Sequence, residues 1–154
     1  MTIQWRDRVI ENPRPVSDEQ VDEVEPAIGW RLPQDYLQVV RVNQGRKPQP
    51  DGFDLADGDS TVISCLLVFE EQHFQYFPGR MWLMNGGSSH ESGPSFIVPF
   101  AADVGESLIC FDYCAGPENL TVVFWDHEAN TEQPVQAIAS SFTDLLDKLY
   151  EADD

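Results

Sequence analysis

Residues 95–126 read SFIVPFAADVGESLICFDYCAGPENLTVVFWD, and they decide the fold. Three apolar runs, SFIVPFA, SLICFDY and LTVVFWD, have strand length and are rich in β-branched and aromatic residues. The breaks between them, around ADVGE and CAGPEN, are short and polar and contain glycine. A parallel pair needs a crossover of roughly a dozen or more residues, which these breaks cannot supply. The stretch therefore reads as a meander of antiparallel strands.

Working upstream, MWLM and TVISCLLVF extend the strand-rich centre, and NGGSSHESGP separates MWLM from the meander. Residues 46–60, RKPQPDGFDLADGDS, hold two prolines, two glycines and four aspartates and read as a solvated loop. Before them stand two helical patterns. Ser17 with Gln20 fits a capping box, Asp18 and Glu19 suit a first turn, and Val21, Val24 and Ile28 recur at helical spacing. Pro26 is expected to kink or end that helix. Leu32 and Pro33 announce a second helix with Tyr36, Leu37, Val39 and Val40 on its apolar stripe and Gly45 as its stop. Downstream, Ser140 or Ser141 caps a last helix whose Phe142, Leu145, Leu146 and Leu149 form one face. The order helix, helix, strands, helix predicts an α+β fold: a single domain with a mostly antiparallel sheet packed with N-terminal and C-terminal helices. The expected organisation is an N-terminal arm over residues 1–16, a domain over 17–150 and an acidic tail over 151–154.

Charge narrows the function. The chain has 154 residues, with 27 Asp and Glu against 9 Lys and Arg, a formal net of −18. Residues 1–80 hold 14 acids and 8 bases, net −6, whereas residues 81–154 hold 13 acids and one base, Lys148, net −12. Direct nucleic-acid binding needs a basic footprint and is not expected, nor is binding to anionic membranes. A basic protein partner is expected, because opposite charge speeds encounter. No apolar run has the roughly 20 residues of a membrane-spanning helix, and no signal-peptide pattern opens the chain, so a cytoplasmic location is expected. Cys65, Cys110 and Cys114 are odd in number and read as buried free thiols.

The stretch FWDHE (residues 124–128) invites a metal or catalytic reading through Asp126, His127 and Glu128. On an extended backbone consecutive side chains alternate, so three ligands do not converge there. Cys110 and Cys114 precede the histidine, the reverse of a zinc-deaminase pattern. Ser88, Ser89, His90 and Glu91 lack a nucleophile elbow, Gly86 and Gly87 lack the lysine of a phosphate loop, and His73 stands alone. No catalytic residue, metal or cofactor is assigned.

Several motifs in order resemble the SUKH superfamily. VDEVEPAIGWRLPQDYLQVVRVNQG matches its N-terminal signature through Val24, Glu25, Gly29, Leu32, Pro33, Tyr36, Leu37, Asn43 and Gly45. VPFAADVGESLICFDY is similar to its Pro-Phe-Ala strand, acidic turn and next strand, through Pro99, Phe100, Ala101, Asp103, Gly105, Cys110 and Asp112. VVFWDHE resembles its Trp-Asp-His-Glu strand end, and AIASSFTDLLDKL its last helix, through Ala139, Ser141, Phe142, Leu145 and Leu146. The chain departs in carrying Pro26 inside the first helix and Asn-Gln-Gly where Asn-Gly-Gly is more usual. The resemblance implies a sheet flanked by helices and a protein-binding role without catalysis. Many bacterial members are immunity proteins against secreted polymorphic toxins, often nucleases, and another member is a fungal cell-wall assembly regulator.

The expectation is therefore an immunity protein that neutralises a toxin domain, as a monomer or weak homodimer. The alternative is a regulatory or scaffold module. A metal-dependent enzyme built on the Asp126-His127-Glu128 stretch ranks behind both. The residues expected at the partner are Asp51, Asp54, Asp57 and Asp59, then Asp103 and Glu106, then Asp126 and Glu128.

Overall fold

The computed structural model describes residues 3–70, 76, 96–105, 107–126 and 135–152. MWLM, His73, His90, Glu106, His127 and Glu128 lie outside the described residues. Helix α1 (Asp18–Ile28) starts at Ser17, where the Gln20 N–H donates to Ser17 Oγ at 3.1 Å and the Ser17 N–H donates to Gln20 Oε1 at 3.0 Å. This reciprocal cap satisfies two orphan donors and contributes about 1 kcal/mol. Pro26 stands in the last turn, where its missing N–H removes only one hydrogen bond. The helix stops at Gly29, whose φ of 86° favours a residue without Cβ. Helix α2 (Gln34–Asn43) buries Tyr36, Leu37, Val40 and Asn43. Gly45 follows at φ 74°, and a Cβ there would meet Val9 Cγ2 at 3.0 Å, so the turn needs glycine for both conformation and space.

Residues 46–60 are not a plain loop. They contain β2 (Lys47–Gln49), paired with β1 (Gln4–Arg6), and β3 (Gly52–Asp54). Pro48 sits opposite Trp5 in this two-stranded ribbon, a peripheral place where proline is tolerated. The strands are three residues each, too short for any period to show through Pro, Gly and Asp.

The main sheet has the order β3-β4-β5-β6-β7-β8, with β4 (Ser60–Leu66), β5 (Ile97–Asp103), β6 (Leu108–Asp112), β7 (Thr121–Trp125) and β8 (Val135–Ala139). Every adjacent pair is antiparallel. The meander is thus present as expected, and the fold is α+β. Nearly all of β5 and β6 is buried, so both faces of the sheet centre are covered. The sheet curls enough to bring its ends together. The Asp57 N–H, in the β3–β4 turn, donates to Gln136 Oε1 on β8 at 3.1 Å, and Phe53 on β3 meets Phe124 on β7 at 6.1 Å between ring centroids.

One face packs on the helices. Tyr36 of α2 meets Phe100, Phe111 and Phe142 edge-on at 5.5, 5.3 and 5.4 Å, and Phe100 stacks on Phe111 at 4.2 Å. Burying each such ring stabilises the fold by about 1.5–3 kcal/mol. Phe142 opens α3 (Phe142–Lys148), which Ser141 caps by accepting from the Asp144 N–H at 3.0 Å. Asp35 Oδ2 accepts from the Thr143 N–H at 3.0 Å and from Thr143 Oγ1 at 2.9 Å, tying the starts of α2 and α3 together. Cys65 and Cys110 are buried, as expected of core thiols, but Cys114 is exposed because it lies beyond the end of β6.

Candidate functional site

The structure places the expected contact residues in different circumstances. Asp51 is held by Lys47 at 2.6 Å, so its charge is locally balanced. Asp54 accepts from the Tyr150 hydroxyl at 2.6 Å. Asp57 and Asp59 are exposed on the β3–β4 turn, where Asp57 Oδ1 accepts from the Asp59 N–H at 2.9 Å. Asp103 is only 8% exposed. Its Oδ1 accepts from the N–H groups of Gly105 at 2.9 Å and Ser107 at 2.8 Å, and its Oδ2 from Thr61 Oγ1 at 3.1 Å. That carboxylate builds the β5–β6 turn and has little left to offer a partner. Asp126 is half-buried just past β7, and Glu106 and Glu128 lie outside the described residues. Among the described residues no group of three or more His, Cys, Asp or Glu side chains is placed to hold a metal ion.

A denser acidic surface lies on α1. Val21, Val24 and Ile28 turn inward, which leaves Asp18, Glu19, Asp22 and Glu23 on the opposite, exposed face. Arg41 pairs with Asp18 at 2.8 Å. Among the described residues Glu19, Asp22 and Glu23 have no ion-pair partner. Asp18 with Asp22 and Glu19 with Glu23 are like charges at i,i+4, each pair destabilising a helix by about 0.2–0.5 kcal/mol. The helix bears this repulsion along one continuous face.

The face ends in a cleft of about 390 Å³ lined by Asp22, Glu25, Pro26, Gly29, Trp30 and Arg31. The left-handed turn at Gly29 sends the chain away from α1 and sets Trp30 at the cleft. Trp30 stacks on Tyr113 at 4.7 Å, with 14° between the rings, and meets Phe96 at 5.7 Å. The Tyr113 hydroxyl donates to the Arg31 carbonyl at 2.7 Å, and Glu25 Oε2 accepts from the Leu32 N–H at 2.7 Å. Burial pushes the Tyr113 hydroxyl pKa up, and the Glu25 charge adds to the effect, so the phenol stays a neutral donor at all ordinary pH. Phe96, the other ring against Trp30, is 46% exposed. The result is one indole, braced from behind by Tyr113, beside two carboxylates.

The model of the SMI1 / KNR4 family (SUKH-1) matches residues 15–148, from just ahead of the Ser17 cap to the last residue of α3. The chain belongs to the SMI1/KNR4 family. Both the acidic helix and the Trp30 cleft fall within this SMI1/KNR4 region. The chain is also similar to the SPbeta prophage-derived uncharacterized protein YokK of Bacillus subtilis (strain 168), at 27% identity over 154 aligned residues. That alignment covers 89% of this chain and 78% of YokK.

The α1 face lies outside the residues expected at the partner, since in sequence Asp18 and Glu19 suit the first turn of a helix. The repeat of acids at 18, 19, 22 and 23, out of phase with Val21, Val24 and Ile28, was the signal available. The Trp30–Tyr113 stack had no local signal, since its partners come from distant parts of the chain. Among the described residues no helix is long and apolar enough to cross a membrane.

Proposed function

We propose that this SMI1/KNR4-family protein is an immunity protein: it binds a secreted toxin domain of opposite charge and occludes its working surface. The observation that carries the reading is the exposed face of α1, where four carboxylates are presented together and one is matched by a described cation. Self-repulsion of that size on one helix face is relieved when a basic surface docks on it. A toxin that grips phosphates presents such a surface, and the net of −18 steers it inward from beyond contact distance. The family resemblance points the same way and assigns the chain no chemistry of its own. In this reading the protein acts in the cytoplasm, on a toxin that has entered or is about to leave the cell.

Asp54, Asp57 and Asp59 form a second acidic patch on the β3–β4 turn and belong to the proposed contact surface at its margin, with Asp126. The test is co-expression with the toxin encoded beside this chain. Wild type restores growth and co-purifies with the toxin, whereas the triple variant Glu19→Gln, Asp22→Asn, Glu23→Gln protects at least several-fold less well. A wild-type chain that neither binds nor protects against any neighbouring toxin removes the reading.

A further inference from the structure

We propose that the Trp30 cleft is a receptor for one arginine side chain projecting from the partner's basic surface. The inference rests on the protein-binding reading above, but it names the pocket and the chemical group that enters it. Three observations converge. The cleft holds about 390 Å³, room for a guanidinium and its methylene stem. Its carboxylates, Asp22 and Glu25, outnumber its one cation, Arg31, so an incoming positive charge is favoured over an anion or a neutral apolar group. Its indole is fixed in advance by the parallel stack on Tyr113, and Tyr113 is fixed by its hydrogen bond to Arg31 O.

A planar guanidinium suits this arrangement better than a point-like ammonium. It stacks on indole and still presents its N–H fork to a carboxylate in the same plane. Glu25 already spends Oε2 on the Leu32 N–H, so Asp22, exposed and without an ion pair among the described residues, is the principal acceptor. Phe96 meets the same indole at 5.7 Å and helps to hold it in place. The α1 carboxylates would attract any basic surface, whereas this cleft sets the register in which it docks.

The test needs no toxin. The isotope-labelled full chain is titrated at low ionic strength with N-acetyl-arginine amide, and in parallel with N-acetyl-glutamine amide as a neutral control. The expected result is a saturable shift of the Trp30 indole N–H and the Gly29 amide with the arginine probe alone. Asp22→Asn and Trp30→Phe, both checked for an unchanged fold by their remaining amide spectrum, each weaken it at least several-fold. Equal shifts from both probes, or arginine shifts confined to Glu19 and Glu23 amides, overturn the proposal. In the co-expression assay, Asp22→Asn and Trp30→Phe variants that protect as well as wild type also overturn it, while leaving the immunity reading intact. A positive titration with no protection by wild type supports the cleft and removes the immunity reading instead.

Discussion

Gln44 shows what one buried side chain can hold together. It is fully buried, yet its Oε1 accepts from the Phe69 N–H at 2.8 Å and its Nε2 donates to the Arg14 carbonyl at 2.7 Å. One amide thus joins the N-terminal segment, the turn after α2 and the chain just beyond β4. A glycine in its place could make neither bond. Gln44→Ala leaves a buried donor and a buried acceptor unmet, and it should lower stability by about 1–3 kcal/mol, read as a shift of the urea midpoint without a change in slope. Two surface aspartates make a pH prediction. The Ser140 N–H, then Lys148, hold the Asp144 carboxyl below its ordinary 3.8, and the Asn12 N–H, then Arg46, do the same for Asp7. A depressed folded pKa gives stability that is complete above 3.8 and is lost as pH falls through the lowered value. The melting temperatures of wild type and Asp144→Ala should therefore differ at neutral pH and converge in strong acid.

At the scale of elements, α1 separates folding from binding. Its inner stripe and cap hold it in place, and its outer carboxylates work against it. Glu19→Gln with Glu23→Gln removes one like-charge pair, so the melting temperature should hold or rise slightly while association with a basic partner slows several-fold. Loss of both stability and binding would show instead that these carboxylates serve the fold. The same helix shows where sequence is legible. Capping residues and 3.6-residue periodicity act locally, so Ser17, Gln20, Val21, Val24 and Ile28 disclose α1, and Ser141 with Phe142 and Leu145 discloses α3. Runs of β-branched and aromatic residues likewise disclose β4 to β7. The three-residue strands β2 and β3 stay hidden, because long-range pairing imposes them on turn-forming residues. The candidate site was less legible still. Asp103 looks like any loop aspartate until its three hydrogen bonds are seen, and Arg31 finds Tyr113 from 82 residues away.

For the whole molecule the controlling quantity is the net charge of −18. A chain this negative repels itself, and added salt screens that repulsion over about 10 Å at roughly 0.1 M ionic strength. Raising sodium chloride at neutral pH should therefore raise the melting temperature while slowing capture of a basic partner. A chain whose stability fell with salt would depend on its ion pairs more than its four described bridges suggest.

The segment that follows α3 bears on how the protein behaves in a crowded solution. Tyr150 returns to Gly52, with the Gly52 N–H donating to Tyr150 O at 2.8 Å and the Tyr150 N–H donating to Gly52 O at 3.0 Å. Its hydroxyl then fastens to Asp54. The outer rim of β3 is thereby occupied by the protein's own backbone and closed to a stranger seeking to extend the sheet. A shortened version lacking residues 150–154 would expose that rim and invite strand-by-strand clumping, even though the helices and the core rings would be untouched.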